Sequence, residues 1–241
     1  MIKVKFEVIS LKEQIAVIQS FLSDKNNTSD FIADFFNLNI NLSTTERNQQ
    51  INDIITEIYT ARLNDLKQSC VRFQNIWERN AVFINNELKN IFGKEFEFDC
   101  VAYVNLNPVW PRYLNEKCFD VNLDATDDYL LLTSTHEIIH FAWFEVWKDN
   151  FPQIERQDYD YPNLSWLISE IAIEPIFRFS NLKQLSSANP AYDYFYTDKI
   201  NNKTIAEIAN EIFKSSKDIN NFQHTIYSFL KNNKETNKLI K

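Results

Sequence analysis

The run from Leu130 to Trp147 is apolar almost all the way round a helical wheel. Leu130, Leu131, Leu132, Ile138, Ile139, Phe141, Trp143, Phe144, Val146 and Trp147 leave it no broad polar face. A helix of that kind is buried. Inside it stand His136, Glu137 and His140, which include two of the chain's three histidines. Burying two imidazoles and a carboxylate without partners costs several kcal/mol. Whatever this chain folds into must therefore give those three groups something to bind.

Residues four apart in an α-helix lie about 40° apart around its axis. His136 and His140 thus project the same way, one turn apart, and can share one tetrahedral cation through their ring nitrogens. Glu137 sits one position on, so its carboxylate reaches beside such a cation rather than onto it. That is where a general base acting on water belongs. Zinc is the expected ion, one per chain, since it takes imidazole and carboxylate ligands and lowers the pKa of water to roughly 7. At this chain's own His and Glu frequencies, an HExxH pattern arises by chance about three times per thousand such chains. The competing reading is a buried His–Glu–His hydrogen-bond network with no metal.

A catalytic zinc site takes a third protein ligand and keeps a fourth position open. Glu170 is the expected ligand. It ends the stretch Ser165-Trp166-Leu167-Ile168-Ser169-Glu170, in apolar surroundings where a carboxylate needs a partner. A salt bridge to Arg or Lys is the alternative for it. Glu155 competes for the ligand role, whereas Glu145 shares the motif's helix too far along to fold back. Glu174, one turn beyond Glu170, is placed to accept a hydrogen bond from the outer ring nitrogen of a ligand histidine and so set its tautomer.

Charge narrows the partners. A net charge of −8, a pI near 5.0 and no Lys/Arg cluster argue against nucleic acid, which wants a basic stripe. The N-terminus, MIKVKFEVIS, has no long apolar region, and no segment reaches the roughly 18 apolar residues of a membrane span. Cys70, Cys100 and Cys118 form neither a CxxC pair nor a disulfide framework, and read as reduced thiols of a cytoplasmic protein. The Asn-, Lys- and Ile-rich composition points to an AT-rich genome.

The expected fold is α+β and mostly helical, with a small antiparallel sheet beside the motif's helix and a helical C-terminal lobe. Alternation over residues 2–9 predicts a half-buried strand. A helical stretch follows over 11–38, interrupted at Asp24-Lys25-Asn26-Asn27. Ser43 and Glu46 form a capping-box signature ahead of a helical pattern that runs to Phe92 with at most one break, and Gly93 ends it. Phe96–Val104 and Cys118–Leu123 read as strands around a turn-prone segment with Pro108 and Pro111. The motif's helix follows Asp124–Asp128 and extends no further than Pro152. A second helix runs from Asn163, its N-cap, to Glu174, where Pro175 ends or kinks it. Helices at 204–215 and 219–231 and a polar tail complete the chain. These elements form one unit of three consecutive parts: an N-terminal scaffold over 1–93, a metal-binding core over 94–178 and a helical region over 179–241.

HEIIH followed by SEIAIE resembles the gluzincin zinc metallopeptidases, in which HExxH on one helix is joined by a glutamate from a second. In thermolysin-like members an aspartate stands four residues after that glutamate; this chain has Glu174 there. Trp110-Pro-Arg-Tyr-Leu-Asn-Glu-Lys117, followed by a strand and the HEIIH helix, also resembles a family of uncharacterised bacterial proteins, over residues 100 to 178. The resemblance implies a zincin-like fold and hydrolysis of a peptide or oligopeptide, with Glu137 as general base. It further implies substrate pairing along an edge strand, for which Cys118–Leu123 is the candidate, an ordinary core strand being the equal alternative, and an oxyanion stabiliser, for which Tyr159, Tyr161 and His224 are the candidates. Arg112 could bind a peptide carboxylate. The alternative function is a zinc-binding interaction or regulatory protein with no hydrolytic activity. A ferritin-like di-iron site would need a second Glu-x-x-His, and the remaining histidine, His224, is preceded at that position by Asn221.

Overall fold

A computed structural model describes residues 1–23, 27–233, 235 and 236. Asp24, Lys25 and Asn26 of the expected interruption, and residues 234 and 237–241 of the polar tail, lie outside the described residues. Helices dominate, with seven α-helices among the described residues, a four-stranded sheet and a two-stranded one. The chain folds as two compact units that interleave along it. One comprises residues 3–79 and 99–130; the other comprises 1–2, 80–98 and 131–241.

The first unit holds the larger sheet. Its strands are β1 (Lys3–Val8), β2 (Asp99–Asn105), β3 (Arg112–Tyr113) and β4 (Cys118–Asn122), in the order β1-β2-β4-β3. The expected antiparallel sheet is not found: β1 runs parallel to β2 and β2 parallel to β4, with only the two-residue β3 antiparallel to β4. The connections explain this. Residues 9–98, with helices α1 (Leu11–Phe21), α2 (Asn27–Phe35) and α3 (Thr44–Phe92), separate β1 from β2, and residues 106–117 separate β2 from β4. Links of that length make crossovers rather than hairpins. The order decides between the two readings of Cys118–Leu123 in favour of a core strand, because β4 lies between β2 and β3 and is buried over Cys118–Val121. Arg112 falls on β3.

Side chains of α3 serve the outer edge of β1. Gln74 accepts from the Phe6 N–H at 2.9 Å and donates to the Val4 carbonyl at 3.2 Å, and the Tyr59 hydroxyl donates to the Ile9 carbonyl at 2.7 Å. The helix begins at the expected box, with Ser43 N–H on Glu46 at 3.1 Å and Glu46 N–H on Ser43 Oγ at 3.4 Å. It runs unbroken for 49 residues. Gly93 follows at φ 68°, a backbone conformation that strains other residues.

Between β2 and β4 a buried polar chain links Gln14, Asn105, Asn107 and Asp120, each no more than 1% exposed. Gln14 donates to Asn107 at 2.7 Å, and the Asn107 amide donates to Asp120 at 3.1 Å. Burial pushes the Asp120 carboxyl up to about 7, against the lowering effect of Asn107 and Asn105.

The second unit is helical. It takes the end of α3, most of α4 (Asp127–Asn150), then α5 (Leu164–Arg178), the hairpin of β5 (Lys199–Ile200) and β6 (Lys203–Thr204), α6 (Ile205–Ser215) and α7 (Ile219–Asn232). As the apolar run demands, Ile138, Ile139, Phe141, Ala142, Trp143 and Trp147 are buried. Trp143 stacks on Trp147 at 5.8 Å, and Phe222 and Tyr227 of α7 pack against these indoles at 5.9 and 5.7 Å. Helix α5 begins after Asn163 but does not stop at Pro175. It continues to Arg178, with Ile176 and Phe177 buried in that last turn, whose apolar burial offsets the donor that proline removes. No helix among the described residues is long and apolar enough to cross a membrane.

Candidate metal centre

Helix α4 presents both histidines on one face, and α5 brings Glu170 to meet them. The two Nε2 atoms lie 2.9 Å apart, and Glu170 Oε2 is 3.3 Å from each. The His140 side chain is wholly buried, that of Glu170 is 4% exposed and that of His136 is 17% exposed. The group is therefore closed on most sides and reached past His136. It could hold a metal ion, and no fourth His, Cys, Asp or Glu joins it among the described residues.

The orientation of His136 comes from the backbone. Its Nδ1 lies 2.8 Å from the Pro190 carbonyl, which can only accept, so Nδ1 carries a proton and Nε2 is the nitrogen left to face His140 and Glu170. Glu174, expected to accept from the outer nitrogen of a ligand histidine, is not the acceptor for His136. Glu174, 1% exposed, instead pairs with Arg178 and accepts from the Tyr196 hydroxyl at 2.6 Å and the Asn210 amide at 3.3 Å. A backbone carbonyl in an irregular segment carries no residue-type signal, so Pro190 could not be picked out in advance.

Charge accumulates around the histidines. Burial works to lower the His136 pKa, but the Glu170 hydrogen bond, the charges of Glu137 and Glu170 and the Pro190 carbonyl outweigh it and raise the value. The same field that draws a proton to this ring favours a metal cation in its place. Glu137 is 8% exposed on the turn between the two histidines and close enough for its charge to act on His136.

The three residues expected as oxyanion stabilisers sit in different settings. Tyr159 is buried, stacked on Phe144 at 4.5 Å with the Arg156 guanidinium 5.2 Å from its ring centre. His224 is exposed on α7, its ring 4.7 Å from that of Phe151. Tyr161 is 54% exposed and meets Trp166 edge-on at 5.1 Å. A third tyrosine, not among those residues, lies within reach of the Glu170 charge. Tyr194 is raised by burial and then by the charge of Glu170. The aromatic run Tyr192, Tyr194, Phe195, Tyr196 was the available signal for it.

Comparison with known proteins returns no matching family model, no matching curated protein and no matching solved structure, so the reading of this site rests on its own geometry.

Proposed function

We propose that the chain is a zinc-dependent metallopeptidase of gluzincin type, with His136, His140 and Glu170 as ligands and Glu137 as general base. The observation that carries this reading is the convergence of two imidazole nitrogens and one carboxylate oxygen, spaced at 2.9, 3.3 and 3.3 Å. A tetrahedral ion with bonds of 2.0–2.1 Å has edges of about 3.3 Å, which both Glu170 spacings match and the histidine pair, at 2.9 Å, approaches from below. A set of three also suits a catalytic rather than a structural zinc site, which takes four protein ligands.

Bound zinc would supply a Lewis acid that polarises a carbonyl and brings the pKa of water to about 7. The protein's part is positional. The Pro190 carbonyl holds the His136 ring in its tautomer, the buried flank of α4 keeps bulk water from His140, and Glu137 receives a proton at its carboxylate and passes it to the departing amine.

The test is Glu137→Gln in zinc-loaded protein against a broad peptide library. Retained zinc with cleavage reduced at least about a hundredfold supports the reading. Undiminished cleavage would sink the role of Glu137. Zinc-loaded wild type that cuts nothing would leave a zinc-binding protein without hydrolytic activity.

A further inference from the structure

We propose that Tyr161, Trp166 and Tyr192 form a recognition shelf for an aromatic side chain next to the hydrolysed bond of the substrate. The inference deepens the peptidase reading and rests on it for the nature of the guest.

Two supports of the metal group anchor the shelf. Trp166 stands four residues before Glu170 on α5, hence one turn away on the same face. Its neighbours Leu167 and Ile168 are wholly buried, yet the indole is only half-buried. Tyr192 follows two residues after Pro190, the residue whose carbonyl fixes His136. The indole is thereby tied to the ligand set through α5, and the phenol through the Pro190 carbonyl that meets His136 of α4.

The rings also form a continuous row. Tyr161 meets Trp166 at 5.1 Å and 88°, Trp166 lies 6.3 Å from Tyr192, and Tyr192 stacks on Tyr194 at 5.6 Å and 20°. Tyr161 and Tyr192 are 54% and 47% exposed, so the row meets solvent rather than closing into the core. Burial first, and then the charges of Glu170 and Asp198 and the Tyr161 phenol, raise the Tyr194 phenol.

Such a surface favours a particular guest. An aliphatic side chain laid on it gains from burial alone, whereas an aromatic one adds edge-to-face or offset stacking. The guest that gains from both burial and ring stacking there is the side chain of phenylalanine, tyrosine or tryptophan.

The test compares phenylalanine hydroxamate with alanine hydroxamate, both zinc-seeking probes, by calorimetry on the zinc-loaded full chain. Wild type should bind the aromatic probe about tenfold more tightly or better. Trp166→Ala and Tyr192→Ala should each cut that preference severalfold with zinc content unchanged. Tyr192→Ala removes an exposed ring and so serves even if Trp166→Ala disturbs folding. Equal affinities in wild type, no binding of either probe, or a preference that survives both substitutions would overturn the shelf. Peptide cleavage is scored separately. Cleavage without aromatic preference defeats the shelf and spares the peptidase reading; aromatic preference without cleavage does the reverse.

Discussion

The Tyr196 hydroxyl donates to Glu174 at 2.6 Å, across 22 residues of chain, and so ties the aromatic segment after Pro190 to the second ligand helix. The same carboxylate pairs with Arg178 and accepts from Asn210 of α6. One buried acid thus holds three segments. Glu174→Ala strands three donors and should destabilise the protein by about 3 kcal/mol. Tyr196→Phe should cost about 1 kcal/mol. Chemical denaturation of the two variants beside wild type checks both values. Equal losses would show that the hydroxyl, not the carboxylate, organises the cluster.

Glu170, one turn earlier on the same helix, should behave in the opposite way. Under the proposed zinc reading, Glu170→Ala weakens zinc binding by at least about a hundredfold. The metal-free variant loses little stability, since removing this acid also removes the cost of burying it. Zinc should raise the melting temperature of wild type and not of the variant, as expected when only the folded state binds. A variant that still takes up one zinc per chain with unchanged affinity would exclude Glu170 as a ligand.

Asp120 predicts a pH dependence. Its carboxyl titrates near 7 when folded and near 3.8 when free, so between those values the folded state holds a proton that the unfolded state has released. Stability from this group is therefore complete below about pH 4 and is lost as pH rises toward 7, by at most a few kcal/mol. Asp120→Asn should flatten that slope and be the more stable protein at pH 8. Denaturation of both proteins at pH 5, 6, 7 and 8 gives the comparison, and parallel curves would contradict the prediction.

Gly93→Ala isolates a conformational cost. The residue sits at φ 68°, and a Cβ there would meet nothing within 4 Å. Only backbone strain opposes the change, so the expected loss is about 1 kcal/mol. A loss several times larger would mean that something other than φ is at stake.

The parts of this molecule legible in advance are those written in local pattern. Ser43 with Glu46 marks one end of α3 and Gly93 the other, because capping is decided within a few residues. His136, His140 and Glu170 could be grouped because a buried apolar helix leaves its polar side chains no other recourse. Sheet direction could not be read the same way. The pairing of Val101 with Cys118 depends on the path of the chain between them, and alternation looks alike in parallel and antiparallel strands. Glu174 was assigned to a histidine because helical spacing shows which face a carboxylate shares, not which neighbour arrives there. The β5–β6 hairpin was within reach: Asn201 and Asn202, at φ 51° and 68°, are the residues a tight two-residue turn prefers.

Gln74 carries a consequence beyond this chain. Its amide offers β1 a carbonyl and an N–H in the places where another strand's backbone would offer them, so a single side chain of α3 stands in for a missing strand. Any event that frays the helix around residue 74 would leave the Phe6 amide and the Val4 carbonyl open to the first extended segment that arrives, including one from a second molecule. The outer edge of β1 is therefore shielded from such pairing in part by one glutamine side chain.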